Sequence, residues 1–125
     1  MDHLFCECLY FSANRLARIM NKMAEEEFAP IGLSPTYAFL LMTVHAHPGI
    51  TQKELSEKLH IAPSTSTRFV KKLELKKLVV RENEGKLTRI YLTEDGVKIQ
   101  EQIKNTEKNY MSVAHKFLAK KKERP

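Results

Sequence analysis

The stretch from Thr51 to Lys77, TQKELSEKLHIAPSTSTRFVKKLELKK, leaves little freedom to the fold. Thr51-Gln52-Lys53-Glu54 has the pattern of a capping box. In it the threonine hydroxyl and the glutamate carboxylate each satisfy a backbone donor that a helix start leaves orphaned. A short helix follows, with Leu55 and Leu59 on its inner side. His60 to Pro63 make a tight turn, and a second helix runs over about 63–76. On that helix Ser66, Phe69, Val70 and Leu73 fall together and must face a core. Ser64, Thr65, Arg68, Lys71 and Lys72 fall on the other side. Two short helices joined by a tight turn, the second one basic, read as a helix-turn-helix.

The flanking segments extend this unit into one domain. Residues about 4–28 carry Phe5, Leu9, Ala13, Leu16, Met20 and Met23 at helical spacing, and Pro30 and Gly32 end that helix. Ser34-Pro35 opens the next, as N-cap and first helical residue, and Pro48-Gly49 stops it. Beyond the basic helix, Leu78-Val79-Val80 is β-prone and Asn83-Glu84-Gly85 is a turn. Thr88, Ile90 and Leu92 then alternate as a return strand would. Thr93 caps a last helix, on which Ile99, Ile103, Thr106, Tyr110, Val113 and Phe117 recur at heptad-like spacing, so a partner helix is expected. The expected fold is mainly α with a small β-hairpin, a winged helix-turn-helix in the order α-α-α-α-β-β-α. Residues 1–125 form one domain. Within it, 34–93 would be the winged part and 1–29 and 94–125 helices for dimerisation.

Charge is unevenly spread. The chain has a net charge of +6, yet residues 61–90 hold eight Lys or Arg against three acids. A localised basic patch is the electrostatic footprint of a nucleic-acid binder. On the basic helix, short Ser64, Thr65 and Thr67 side chains allow close approach to base edges. Arg68 can pair bidentately with guanine or phosphate, and Lys71 and Lys72 can meet phosphates. In the hairpin, about 81–89, Lys86 would reach DNA. Arg89 either contacts the DNA backbone or pairs with a wing acid. No stretch of about 18 apolar residues is present to span a membrane, and the start lacks the basic residues of a secretory signal, so a cytoplasmic protein is expected. A Gly-rich phosphate loop, a nucleophile elbow and an H-E-x-x-H pair are all missing, so we expect no enzyme and no cofactor.

With these pieces in order, the chain resembles the MarR family of bacterial transcriptional regulators over about residues 5–115. The resemblance rests on LSPTYAFLLMTV, TQKELSEKLHIAPSTSTRFVKKLELKKLV and RIYLTEDG, taken together. It implies a homodimeric winged-helix protein binding double-stranded DNA at a palindromic operator, usually a repressor released by a small molecule or an oxidant. Where family wings usually carry Asp-x-Arg, this chain has Glu84-Gly85-Lys86, and Lys77 stands where a glycine is common after the recognition helix. FCECLYFSANR also resembles the first helix of the thiol-responsive branch of this family, with Cys6 one turn before Tyr10. That makes Cys6 a candidate redox sensor through a sulfenic acid. The other readings of Cys6 and Cys8 are small hydrophobes buried in a dimer helix, or a metal pair joined by histidines. A C-x-C pair alone is no zinc site, so no metal is expected. The alternative to a regulator is a winged-helix protein-interaction module without sequence-specific DNA binding.

Overall fold

The computed structural model of the protein describes residues 3–123, with side chains described over 7–120. The order of elements is α1 (His3–Phe28), α2 (Pro35–Ala46), β1 (Ile50–Thr51), α3 (Gln52–Leu59), α4 (Pro63–Leu75), β2 (Val79–Glu84), β3 (Leu87–Leu92), α5 (Glu94–Lys98) and α6 (Gln100–Glu123). A single 3-10 turn, Ala29–Ile31, closed by Gly32 at φ +80°, separates α1 from α2.

The capping box forms as the sequence requires. Glu54 N donates to Thr51 Oγ1 at 3.1 Å, and Thr51 N donates to Glu54 Oε1 at 3.3 Å. Leu55 is fully buried beneath it. The core joins both ends of the chain to the middle. Phe28 from α1, Leu40, Leu41 and Val44 from α2, Leu55, Val70, Leu73, Val79, Ile90 and Ile103 form one buried cluster. At about 1.5–3 kcal/mol for each large apolar side chain taken fully out of water, this cluster dominates the stability of the domain.

The structure departs from the sequence expectation in three places. The hairpin is part of a three-stranded antiparallel sheet in the order β1-β3-β2, and Ile50 and Thr51 pair with Ile90 and Arg89. A two-residue strand has no pattern to read, and it exists only because β3 lies beside it. The turn of the hairpin is Gly85-Lys86, because Glu84 pairs with Leu87, and Gly85 takes the positive φ that a two-residue hairpin loop needs. The last helix is two. Thr93 caps α5, accepting from Gly96 N at 3.1 Å. The Gln100 side-chain amide then donates to Gly96 O at 3.1 Å, the carbonyl that a continuous helix would give to the Gln100 backbone N–H.

The heptad-like stripe on α6 meets a helix of its own chain. Ile103 and Ala114 are buried, and the Tyr110 hydroxyl donates to Met20 O of α1 at 3.4 Å. On the outside of this helix pair, Leu9, Tyr10, Phe11 and Leu16 from α1 and Met111, Val113 and Leu118 from α6 are exposed. None of the helices among the described residues is long and apolar enough to cross a membrane.

Candidate nucleic-acid interface

Helices α3 and α4 begin differently, and the difference concerns what can approach them. The start of α3 is closed by its own threonine and glutamate. The Glu54 carboxyl is held below its ordinary range, first by the hydrogen bond from the Thr51 hydroxyl and then by the Thr51 backbone N–H. The N-cap of α4 is Ala62, which has no side chain that can accept a hydrogen bond, and Pro63 takes the first helical position. Ser64 therefore sits inside the first turn rather than at the cap. The first turn of α4 also lacks acidic residues, so the backbone donors and the positive end of the helix dipole face outward without a local anion.

Along α4 the two faces divide as the periodicity requires. Ser66, Val70 and Leu73 are fully buried. Ser64, Arg68, Lys71 and Lys72 are exposed and Thr65 is half-buried. Tyr37 and Phe69 stack edge-on at 5.1 Å beneath this face, and Lys72 Nζ lies 5.7 Å from the centre of the Tyr37 ring. Thr67 is more constrained than its neighbours. Its hydroxyl donates to Pro63 O at 2.9 Å and accepts from Gln52 Nε2 at 3.2 Å. Gln52 thus ties the start of α3 to α4, a role the sequence did not single out. The capping box that places Gln52 at the first helical position was the available signal.

The wing carries the other two candidates. Lys86 is exposed at its tip. Arg89 is turned inward: its Nε pairs with Glu84 and its NH1 donates to Gly49 O at 2.9 Å. Glu84 raises the Arg89 pKa above the ordinary arginine range, through the hydrogen bond first and its charge second. Arg81 is likewise paired, with Glu74 at 3.1 Å. The unpaired cations of this side are therefore those of α4 and the wing tip, Arg68, Lys71, Lys72 and Lys86, as far as the described ion pairs show.

The amino-terminal cysteines lie apart, on α1. Cys8 is exposed and unbonded. The side chain of Cys6 lies outside the described residues. Among the described residues no cluster of His, Cys, Asp and Glu could hold a metal ion.

A buried helix-turn-helix with an outward basic face and a three-stranded wing defines a winged-helix protein. Residues 33–84 match the family model described as MarR family. The chain is 28% identical over 87 residues to the HTH-type transcriptional regulator YybA of Bacillus subtilis (strain 168), a match covering 67% of this chain and 58% of that relative. The structure of a MarR transcriptional regulator from Methanosarcina mazei Go1 superimposes with a TM-score of 0.76 at 25% identity, covering 88% of this chain and 81% of the other. The MepR–DNA complex of Staphylococcus aureus shares the fold at a TM-score of 0.76 and 21% identity, over 82% of this chain and 78% of MepR. Over residues 33–84, then, the chain is similar to the MarR family, and its fold is that of MarR-family structures.

Proposed function

We propose that the protein is a sequence-specific DNA-binding transcriptional regulator that acts as a homodimer on a palindromic operator. The observation that carries this reading is the solvent face of α4. It has an uncapped start, small hydroxyls in the first turn and unpaired cations beyond, and it is backed by a rigid core. Such a helix suits the major groove, where its first residues approach base edges and its cations meet phosphates. Ser64, Thr65 and Arg68 would read bases, Lys71 and Lys72 phosphates, and Lys86 the groove beside the wing. Thr67 and Arg89 act from behind, through Gln52 and Glu84. YybA is described as a transcriptional regulator and MepR was solved with DNA, and both facts support the reading.

In this reading residues 34–93 form the DNA-reading part, and 1–29 and 94–125 supply the dimer helices. Repression follows when the bound dimer occupies a promoter. A small-molecule effector would enter the cleft of about 490 Å³ between α2 and α6, lined by Met42, His45, Gln100 and Lys104. There it would bias the separation of the two recognition helices.

The test is fluorescence anisotropy on DNA from the protein's own upstream region, with scrambled DNA as control and salt as the variable. Salt-sensitive preference for the native sequence is expected, and Arg68→Ala should weaken it by about 1–3 kcal/mol. Unchanged affinity removes Arg68 from the site. Equal, weak binding to both DNAs and to a random-sequence pool overturns the reading in favour of a protein-interaction module. Repeating the titration after peroxide tests an oxidant effector: release that Cys6→Ser abolishes assigns the sensor to Cys6.

A further inference from the structure

Three consecutive residues of β3 hold one glycine. The Arg89 guanidinium donates to Gly49 O at 2.9 Å, and Gly49 N donates to Ile90 O at 3.1 Å. The Tyr91 ring lies over Gly49 so closely that a Cβ there would come within 3.1 Å of the Tyr91 hydroxyl. Gly49 has φ +81°, a conformation that glycine adopts without the usual steric penalty. It is the residue through which the chain leaves α2 for β1. On its other side, Arg89 pairs with Glu84, the last residue of β2 before the Gly85-Lys86 turn. One guanidinium therefore reaches from the end of α2 to the root of the wing tip.

We propose that Arg89 is a positioning residue that aims the wing, joining the Gly49 turn to Glu84 so that Lys86 is held at a fixed angle to α4. The proposal rests on the DNA-binding reading for its consequence, though not for its geometry. Two guanidinium donors at fixed angles serve two acceptors on different elements, which a lysine ammonium on a flexible stem cannot reproduce. Removing the arginine has two effects. The wing loses its tie to α2, and the Glu84 carboxylate is left unpaired two residues from Lys86, where it would repel a phosphate. The Arg89 side chain is 34% exposed, so it is the better covered member of a pair whose glutamate is 69% exposed.

The experiment compares wild type, Arg89→Lys, Lys86→Gln, the double variant and Gly49→Ala. Each is titrated with native upstream DNA across a salt series, and its amide hydrogen exchange is followed without DNA. Arg89→Lys keeps the charge, so a direct phosphate contact would survive it nearly intact. The positioning role instead gives about tenfold weaker binding and a salt slope reduced by about two released ions per dimer, one for each wing, the same reduction as Lys86→Gln. The double variant should then bind no more weakly than Arg89→Lys alone. Gly49→Ala, which changes no charge, should lower the slope in the same way. In Arg89→Lys the amides of β2, β3 and Gly49 should exchange faster. Wild-type affinity in Arg89→Lys with an additive Lys86→Gln effect overturns the proposal, as does unchanged exchange in the wing. If the wild type binds no DNA selectively, the function proposed above fails and the exchange data alone decide whether Arg89 fixes the wing.

Discussion

From residue 7 to residue 18 every position of α1 is exposed, Leu9, Tyr10, Phe11 and Leu16 among them. Between Leu33 and Leu92, by contrast, no run of twelve residues lacks a buried one. The winged body supplies most of the core from its own sequence, and Phe28 of α1 and Ile103 and Tyr110 of α6 complete it. The long helices bury little beyond each other and turn aromatic and aliphatic side chains outward. The body thus buries most of its apolar residues within the chain, while the helix pair keeps apolar surface that a further partner would remove from water. A second copy of the chain is the partner we propose.

The joint between the two regions is where this contrast can be broken most severely. A Cβ on Gly96 would lie 2.2 Å from Leu78 O, and the obstacle is backbone rather than a flexible side chain. Gly96→Ala should destabilise the protein by about 3 kcal/mol through overpacking, read as a lower urea midpoint. An unchanged midpoint would mean that the joint gives way freely. Next in size, Leu9→Glu with Leu118→Glu should abolish association and leave the unfolding of the body alone. Each leucine buried in an interface contributes about 1.5–3 kcal/mol, counted once per copy. Sedimentation checks this, and a wild type that stays monomeric at micromolar concentration refutes the dimer.

Two smaller changes should sharpen the contrast by strengthening the body. The Ser66 hydroxyl is fully buried and finds no hydrogen-bond partner among the described residues. Ser66→Ala removes that unsatisfied group and should stabilise by about 1 kcal/mol, with DNA binding unchanged because Ser66 faces the core. Loss of stability would show that the hydroxyl has a partner. Lys77 follows α4 at φ +61°, in the left-handed region that penalises a Cβ. Lys77→Gly should add about 0.5 kcal/mol, the strain relieved less the extra entropy of glycine, and thermal unfolding reads it.

What was legible in the sequence was local. The Thr51–Glu54 capping box, the burial of Ser66, Val70 and Leu73 on one side of α4, and the Thr93 cap all follow from spacing within a few residues. What was hidden depends on partners far along the chain. The β1 strand forms because Ile90, forty residues on, pairs with Ile50. The partner of the α6 stripe was expected and proves to be α1 of the same chain, a choice that periodicity alone cannot make. The candidate site divides in the same way. Which residues of α4 face outward could be read from its period. Arg89 could be narrowed to two roles, yet its hold on Gly49 appears only once α2 and β3 meet.

The joint at Gly96 also sets a length. Thr93 hydrogen-bonds to Lys77 O at 2.7 Å and to Leu78 O at 3.0 Å, so the root of α5 is fastened to the base of the wing. From there α6 runs 24 residues, about 36 Å at 1.5 Å per residue. A tilt of about 10° at the root would carry its far end through about 6 Å, given that rise. Such a tilt would have to carry α1 with it, because Ile103 is buried in the core and the Tyr110 hydroxyl donates to Met20 O. Whatever docks on the outer face of the helix pair is therefore joined to the base of the wing through one packed unit.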